Sequence, residues 1–136
     1  MENPPPGQTG KSSTGLDENI AALLSYVVGW ISGLIFFLME KDSKLVRFHA
    51  MQSILLSGGF FIVMIVLGFV STFLGLIFGY VSGLLGTLVW LVTWLLMMAV
   101  GIGVLVGWVM CLIKAYNKEF FKLPIIGNYA EKFSAK

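Results

Sequence analysis

"FHAMQSILLSGGFFIVMIVLGFVSTFLGLIFGYVSGLLGTLVWLVTWLLMMAVGIGVLVGWVMCLI", running from Phe48 to Ile113, contains no Lys, Arg, Asp or Glu. A hydrocarbon core of about 30 Å takes about 20 residues of helix, so so long a charge-free run reads as membrane-embedded. Strands of a membrane barrel would alternate apolar and polar residues with a period of two. Here both faces stay apolar for tens of residues, and only internally hydrogen-bonded helices satisfy such a backbone in lipid. The fold class read from this stretch is all-α, a polytopic integral membrane protein.

The rest of the chain agrees. Hydrophobic residues make up 57% and charged residues only 12%, about half the charged share of a soluble domain. Asn19 to Met39 is a second charge-free run. What remains is a polar head (1–16), a charged turn "EKDSKLVR" (Glu40 to Arg47) and a tail (116–136). This organisation predicts one helical membrane domain over 17–136, in the cell membrane, with the lipid bilayer as its first partner. A net charge of +2 gives no reason to invoke nucleic acid.

Three full spans are expected, at about 19–39, 48–70 and 91–115. Trp90 and Trp94 at one end and Tyr116 at the other bracket the last, as interfacial aromatic belts do. Between the second and third lies a stripe of small residues at every fourth position: Ser71, Gly75, Gly79, Gly83 and Thr87. It predicts a short Gly-rich helix, about 71–87, in close contact with a neighbour. Gly29 and Gly33 predict a second packing seam. If the short helix also crosses, the spans number four. Lys41, Lys44 and Arg47 place the turn in the cytoplasm by the positive-inside rule. Lys114, Lys118, Lys122, Lys132 and Lys136 place the tail there too. The head, with only Lys11, is expected outside.

The head reads "MENPPPGQTGKSSTG" and predicts disorder. Its "GQTGKS" is not a phosphate loop, because only two residues separate Gly7 from Gly10 and no strand precedes them. The first apolar run begins late and lacks a small-residue cleavage site, against a signal peptide. Thr14 to Asp17 fits a Thr-x-x-Asp helix cap.

Arg47, His49, Gln52 and Ser53 stand at the mouth of the long apolar run. Arg47 is placed to snorkel, or to meet a lipid phosphate. His49, Gln52 and Ser53 share a helix face, which predicts a polar clasp to another helix. A lipid or partner contact, or a proton, metal or haem site on His49, are the alternatives. Cys111, alone in the chain, reads as a small buried hydrophobe. No paired carboxylates, no nucleophile beside a base and no metal-ligand spacing occur. The expectation is therefore no enzyme, no catalytic or metal residues and no cofactor.

"STGLDENIAALLSYVVGWISGLIFFLMEKDSKLVRFHAMQSILL" and "KAYNKEFFKLPIIGNYAEKF" resemble a family of small uncharacterised prokaryotic membrane proteins. That Tic-twenty-like family is distantly related to the import-channel subunit of the chloroplast inner envelope. The resemblance rests on Arg47, Phe48, His49, Ala50 and Gln52, then Lys122, Pro124 and Gly127, and spans Ser13 to about Phe133. It implies a translocation-type role. The residues themselves point to a non-enzymatic protein that assembles with itself or other membrane proteins. The alternative is one subunit of an oligomeric small-solute or ion channel or transporter.

Overall fold

The structure, a computed structural model, describes Glu2, Asn3 and residues 10–136. Its helices are α1 (Glu18–Val27), α2 (Trp30–Met39), α3 (Lys44–Val81), α4 (Gly83–Tyr116) and α5 (Ile126–Ser134). They form two compact units. One joins the residues up to Gly59 with Val106–Lys136; the other is Phe60–Leu105.

In the first unit, the run expected to span at 19–39 is broken in the middle. The chain reverses at Val28 and Gly29, where Gly29 takes φ +60°, a left-handed conformation that favours glycine. α1 and α2 are thus an antiparallel hairpin, not one span. Their outer ends meet: Ser13, just before α1, hydrogen-bonds Glu40, just after α2. Each arm has 10 residues, about 15 Å of helix, or half a hydrocarbon core. The reversal leaves backbone groups without helical partners, and serines satisfy them. Ser32 Oγ donates to Ser25 O (2.9 Å) and accepts from Val28 N (3.0 Å). Ser53 Oγ donates to Gly29 O (3.0 Å).

α2 lies on the first turns of α3. A β-carbon on Gly33 would sit 2.8 Å from Ala50 O, and one on Gly29 would sit 3.2 Å from Ser57. Any larger residue at position 33 would separate the two backbones. Ala21, Ala22 and Tyr26 of α1 pack with Val46, Cys111 and Ala115 in a core walled by Phe36, Trp108 and Leu112. The small alanines let α1 come close enough for Trp108 Nε1 to donate to Tyr26 O at 3.0 Å. The outer face of the hairpin is apolar and exposed, with Val28, Ile35 and Leu38 among its side chains.

The second unit is a plain helical hairpin turning at Ser82. A β-carbon on Gly86 would come within 2.7 Å of Gly79 Cα, and the Trp90 indole lies across Gly75. Gly83 has nothing within 4 Å. Gly75 and Gly79 therefore face α4, whereas a β-carbon on Gly83, also expected in the packing stripe, would meet open space. Ser71 Oγ is buried without a hydrogen-bond partner. Thr72, Thr87 and Thr93 bond back to carbonyls four residues earlier on their own helices. Large side chains point outward, Phe69 at 75% exposed and Tyr80 at 95%. Such a surface suits lipid, not water.

Several expectations need correction. No separate helix occupies 71–87, because 71–81 continues α3 and 83–87 opens α4. The spans expected at 48–70 and 91–115 grow to 38 and 34 residues, so Trp90 and Trp94 lie inside α4 and do not mark its start. Among the described residues, two helices are long and apolar enough to cross a membrane, not three or four. Residues 10–16 of the head are ordered: Lys11 bridges to Asp17, and Ser13 bonds Glu40 and Asp42. The "GQTG" reading falls mostly outside the described residues. Asp17, not Thr14, occupies the helix cap, since the Thr14 hydroxyl is spent on Ser12 at 2.6 Å. Finally, head, turn and tail gather together, because Arg47 on the turn also bonds Ser134 of the tail. The head is therefore beside the tail, not opposite it.

Candidate functional site

His49 and Gln52 lie on one face of α3, three residues apart, and both are fully buried. His49 Nε2 is 2.8 Å from Glu119 O. A carbonyl only accepts, so Nε2 carries the proton, and in the neutral ring Nδ1 is left as acceptor. Nδ1 lies 3.1 Å from the Tyr26 hydroxyl, which donates to it. The tyrosine oxygen in turn accepts from Gln52 Nε2 at 3.2 Å. The same amide nitrogen faces Phe121 O (3.0 Å) and Cys111 Sγ (3.3 Å), while Gln52 Oε1 accepts from Leu123 N (3.3 Å). Hydrogen bonds therefore run in one direction, from Gln52 through Tyr26 to His49 and on to Glu119.

This network joins α1, α3, α4 and the strap 119–123 that follows α4. The strap has an uneven backbone, with Lys118 at φ 61° and Ile125 at φ 67° bounding it. Side chains of α3 hold its Leu123 amide and its Glu119 and Phe121 carbonyls, while Glu119 N and Phe121 N bond the backbone carbonyls of Lys114 and Glu119. Phe48 closes the outer side, its ring edge-on to His49 (5.2 Å) and to Phe120 (5.4 Å). Gly127 explains the closing Lys-x-Pro-x-x-Gly pattern: a β-carbon there would lie 2.5 Å from Lys122 Cα. Lys122 itself pairs with Glu131 at 2.5 Å, so Lys122, Pro124 and Gly127 shape the turn into α5.

Arg47 and Ser53 belong to other sites. Ser53 closes the hairpin tip. Arg47 turns back to the charged turn, where Nη1 donates to Glu40 O (2.7 Å), Nε donates to Ser134 O (3.3 Å) and the guanidinium lies 4.5 Å from the Phe37 ring centre. The sequence thus groups four residues that the structure divides into three neighbouring sites on successive turns of α3.

Glu40, the first residue of the charged turn, is a further participant. Its side chain is buried and accepts from Ser13 N, Ser13 Oγ, Asp42 N and Ser43 N at 2.8–3.0 Å. Burial pushes its carboxyl up, but the Ser43 and Ser13 N–H groups, the Ser13 hydroxyl and Asp42 N–H outweigh it and hold the carboxyl below its ordinary value. Tyr26, Ser32 and Trp108 also take part without a sequence expectation; lone polar groups in an apolar run are the available signal for Tyr26 and Ser32, while Trp108 lies within α4. Among the described residues, no three His, Cys, Asp or Glu side chains converge to hold a metal ion.

A model of the magnetosome magnetite crystal formation protein family matches residues 16–130, which takes in the hairpin, the network and most of α5. The chain belongs to this family. Its relatives include a UPF0132 membrane protein of Methanocaldococcus jannaschii, 41% identical over 127 residues, 92% of this chain and 96% of the relative. A UPF0132 membrane protein of Archaeoglobus fulgidus is 38% identical over 117 residues, 86% of this chain and 95% of the relative. A second from M. jannaschii is 33% identical over 119 residues, covering 88% and 71%. No solved structure matches at a significant level. The membrane class read from composition therefore stands on the relatives' names as well as on the two long apolar helices.

Proposed function

We propose that this family member is a non-enzymatic integral membrane protein that works by assembly, with itself or with other membrane proteins. The observation carrying this reading is the surface of Phe60–Leu105. It is apolar and outward-facing, and its threonine hydroxyls bond within their own helices. Such a surface offers van der Waals contact to lipid and to other helices, the interactions that drive association in a bilayer. The groups best suited to chemistry, His49, Tyr26 and Gln52, are engaged with one another and with backbone. That favours a structural role for them.

The family's description speaks of magnetite crystal formation in magnetosomes. For this chain we take from it an organising role at a membrane. A translocation-type task, implied by the Tic-twenty-like resemblance, would be a narrower form of the same reading; the relatives' names do not speak for it.

Photo-crosslinking side chains placed at Phe69 and Leu76 in native membranes test the proposal. Discrete adducts to a second copy or to a defined membrane protein are the expected result. Adducts to lipid alone at both positions would overturn the assembly reading. A ring of self-adducts accompanied by solute flux in vesicles would move the protein to the channel alternative.

A further inference from the structure

The charged turn and the end of α5 line a cavity of about 710 Å³. Lys41, Lys44, Arg47 and Lys136 line it, with Asp42 and Glu131 as the acidic members. The two acids are partly offset: Lys122 pairs with Glu131 (2.5 Å), and Ser13 Oγ donates to Asp42 (2.7 Å). Arg47 is held in place by carbonyls and by Phe37, so its charge cannot swing away. Positive charge is concentrated where a headgroup layer would lie, because the charge-free part of α3 begins at Phe48.

α5 supplies a second, independent feature. Gly127, Ala130 and Ser134 face the protein, while Ile125, Tyr129 and Phe133, each four residues apart, are exposed at 75%, 52% and 40%. Tyr129 and Phe133 stack, with ring centres 6.3 Å apart. An amphipathic helix with an aromatic, apolar outer face and lysines beside it lies in the interface plane of a bilayer. A basic cavity edged by such a helix suits a ligand that is anionic at one end and apolar at the other.

We infer that the cavity bounded by the Glu40–Arg47 turn and α5 binds the phosphate of an anionic phospholipid headgroup, Arg47 fixing its position and Lys41, Lys44 and Lys136 supplying charge. The inference rests on the membrane placement proposed above. Lysines near an anionic surface each contribute roughly fivefold in affinity, so removing two should weaken binding about 25-fold.

The test uses the full chain, purified in a neutral detergent, with retained lipid measured by native mass spectrometry. Phosphatidylglycerol, phosphatidylcholine and inorganic phosphate are added separately to the parent and to a Lys41→Gln/Lys44→Gln variant. Both lysines are exposed, so the variant should fold; its thermal unfolding and resistance to carbonate extraction are measured alongside. The expected result is retention of phosphatidylglycerol over phosphatidylcholine in the parent, falling at least tenfold in the variant. Equal retention of both lipids, or equal phosphatidylglycerol retention by parent and variant, overturns the site. Inorganic phosphate stabilising the parent as well as phosphatidylglycerol does would also overturn it, in favour of a soluble phosphate ligand. Release of the parent by carbonate would instead defeat the membrane placement itself.

Discussion

Replacing Gln52 with leucine tests whether the buried network holds the strap to the helices. The two side chains are close in size, so packing is largely kept while hydrogen bonds are lost. The change leaves Phe121 O and Leu123 N without their partner, and deprives Tyr26 of a donor. An unsatisfied buried polar group costs about 1–3 kcal/mol. Phe121 and Leu123 are half-buried, so the low end applies, about 1 kcal/mol for each. The lost tyrosine contact adds about 0.6 kcal/mol, the mean for a hydrogen bond inside a membrane protein. The total is roughly 2–3 kcal/mol. His49→Gln should cost well under half of this, since an amide can both donate to Glu119 O and accept from Tyr26. Unfolding by denaturing detergent would be followed together with the labelling rate of Cys111, which is buried in the same cluster. Gln52→Leu should speed labelling; His49→Gln should not. In a double-mutant cycle, Gln52→Leu and Tyr26→Phe should be less than additive, because they share one bond. Parent-like stability and labelling for Gln52→Leu, or strict additivity in the cycle, would refute the network as a clasp.

Two further outcomes follow. Single cysteines replacing Lys11 and Lys132 should be labelled by an impermeant maleimide from the same side of the membrane; labelling of the Lys11 and Lys132 positions from opposite sides would exclude the α1–α2 hairpin. Glu40 has a lowered carboxyl pKa, so its contribution is present above the ordinary value of 4.5 and is lost as pH falls through the lower folded value. The melting temperature of the parent should therefore drop below about pH 4.5 more steeply than that of Glu40→Gln, which should start lower and vary less; parallel curves would remove Glu40 from the account.

The helical class and the polar face of α3 were legible because charge and periodicity report them directly. The hairpin was not. Asn19 to Met39 has the length and hydropathy of one span, and nothing in a window average distinguishes 20 residues that continue from 20 that reverse. The informative residues were Gly29, whose left-handed backbone makes the turn, and Ser32 and Ser53, which satisfy it. The small-residue stripe misled for a related reason. Its even spacing is a property of helix faces and says nothing of where a helix stops, so Ser82, inside the stripe, was not read as the break. The strap at 119–123 was illegible because its conformation is set by His49 and Gln52, about 70 positions earlier in the chain.

The α1–α2 reversal also bears on how the protein reaches its membrane. All nine basic and seven acidic residues lie outside Phe48–Ile113, in the segments that the reversal gathers at one end. A straight first helix would oblige either the head, with Lys11, Asp17 and Glu18, or the whole charged turn to be carried through oil. The hairpin removes that requirement. The bend between α3 and α4 is neutral too, since Tyr80, Val81, Ser82 and Gly83 carry no ionic charge. In a bilayer, the first hairpin would then insert without any ion of the head or the charged turn crossing the hydrocarbon.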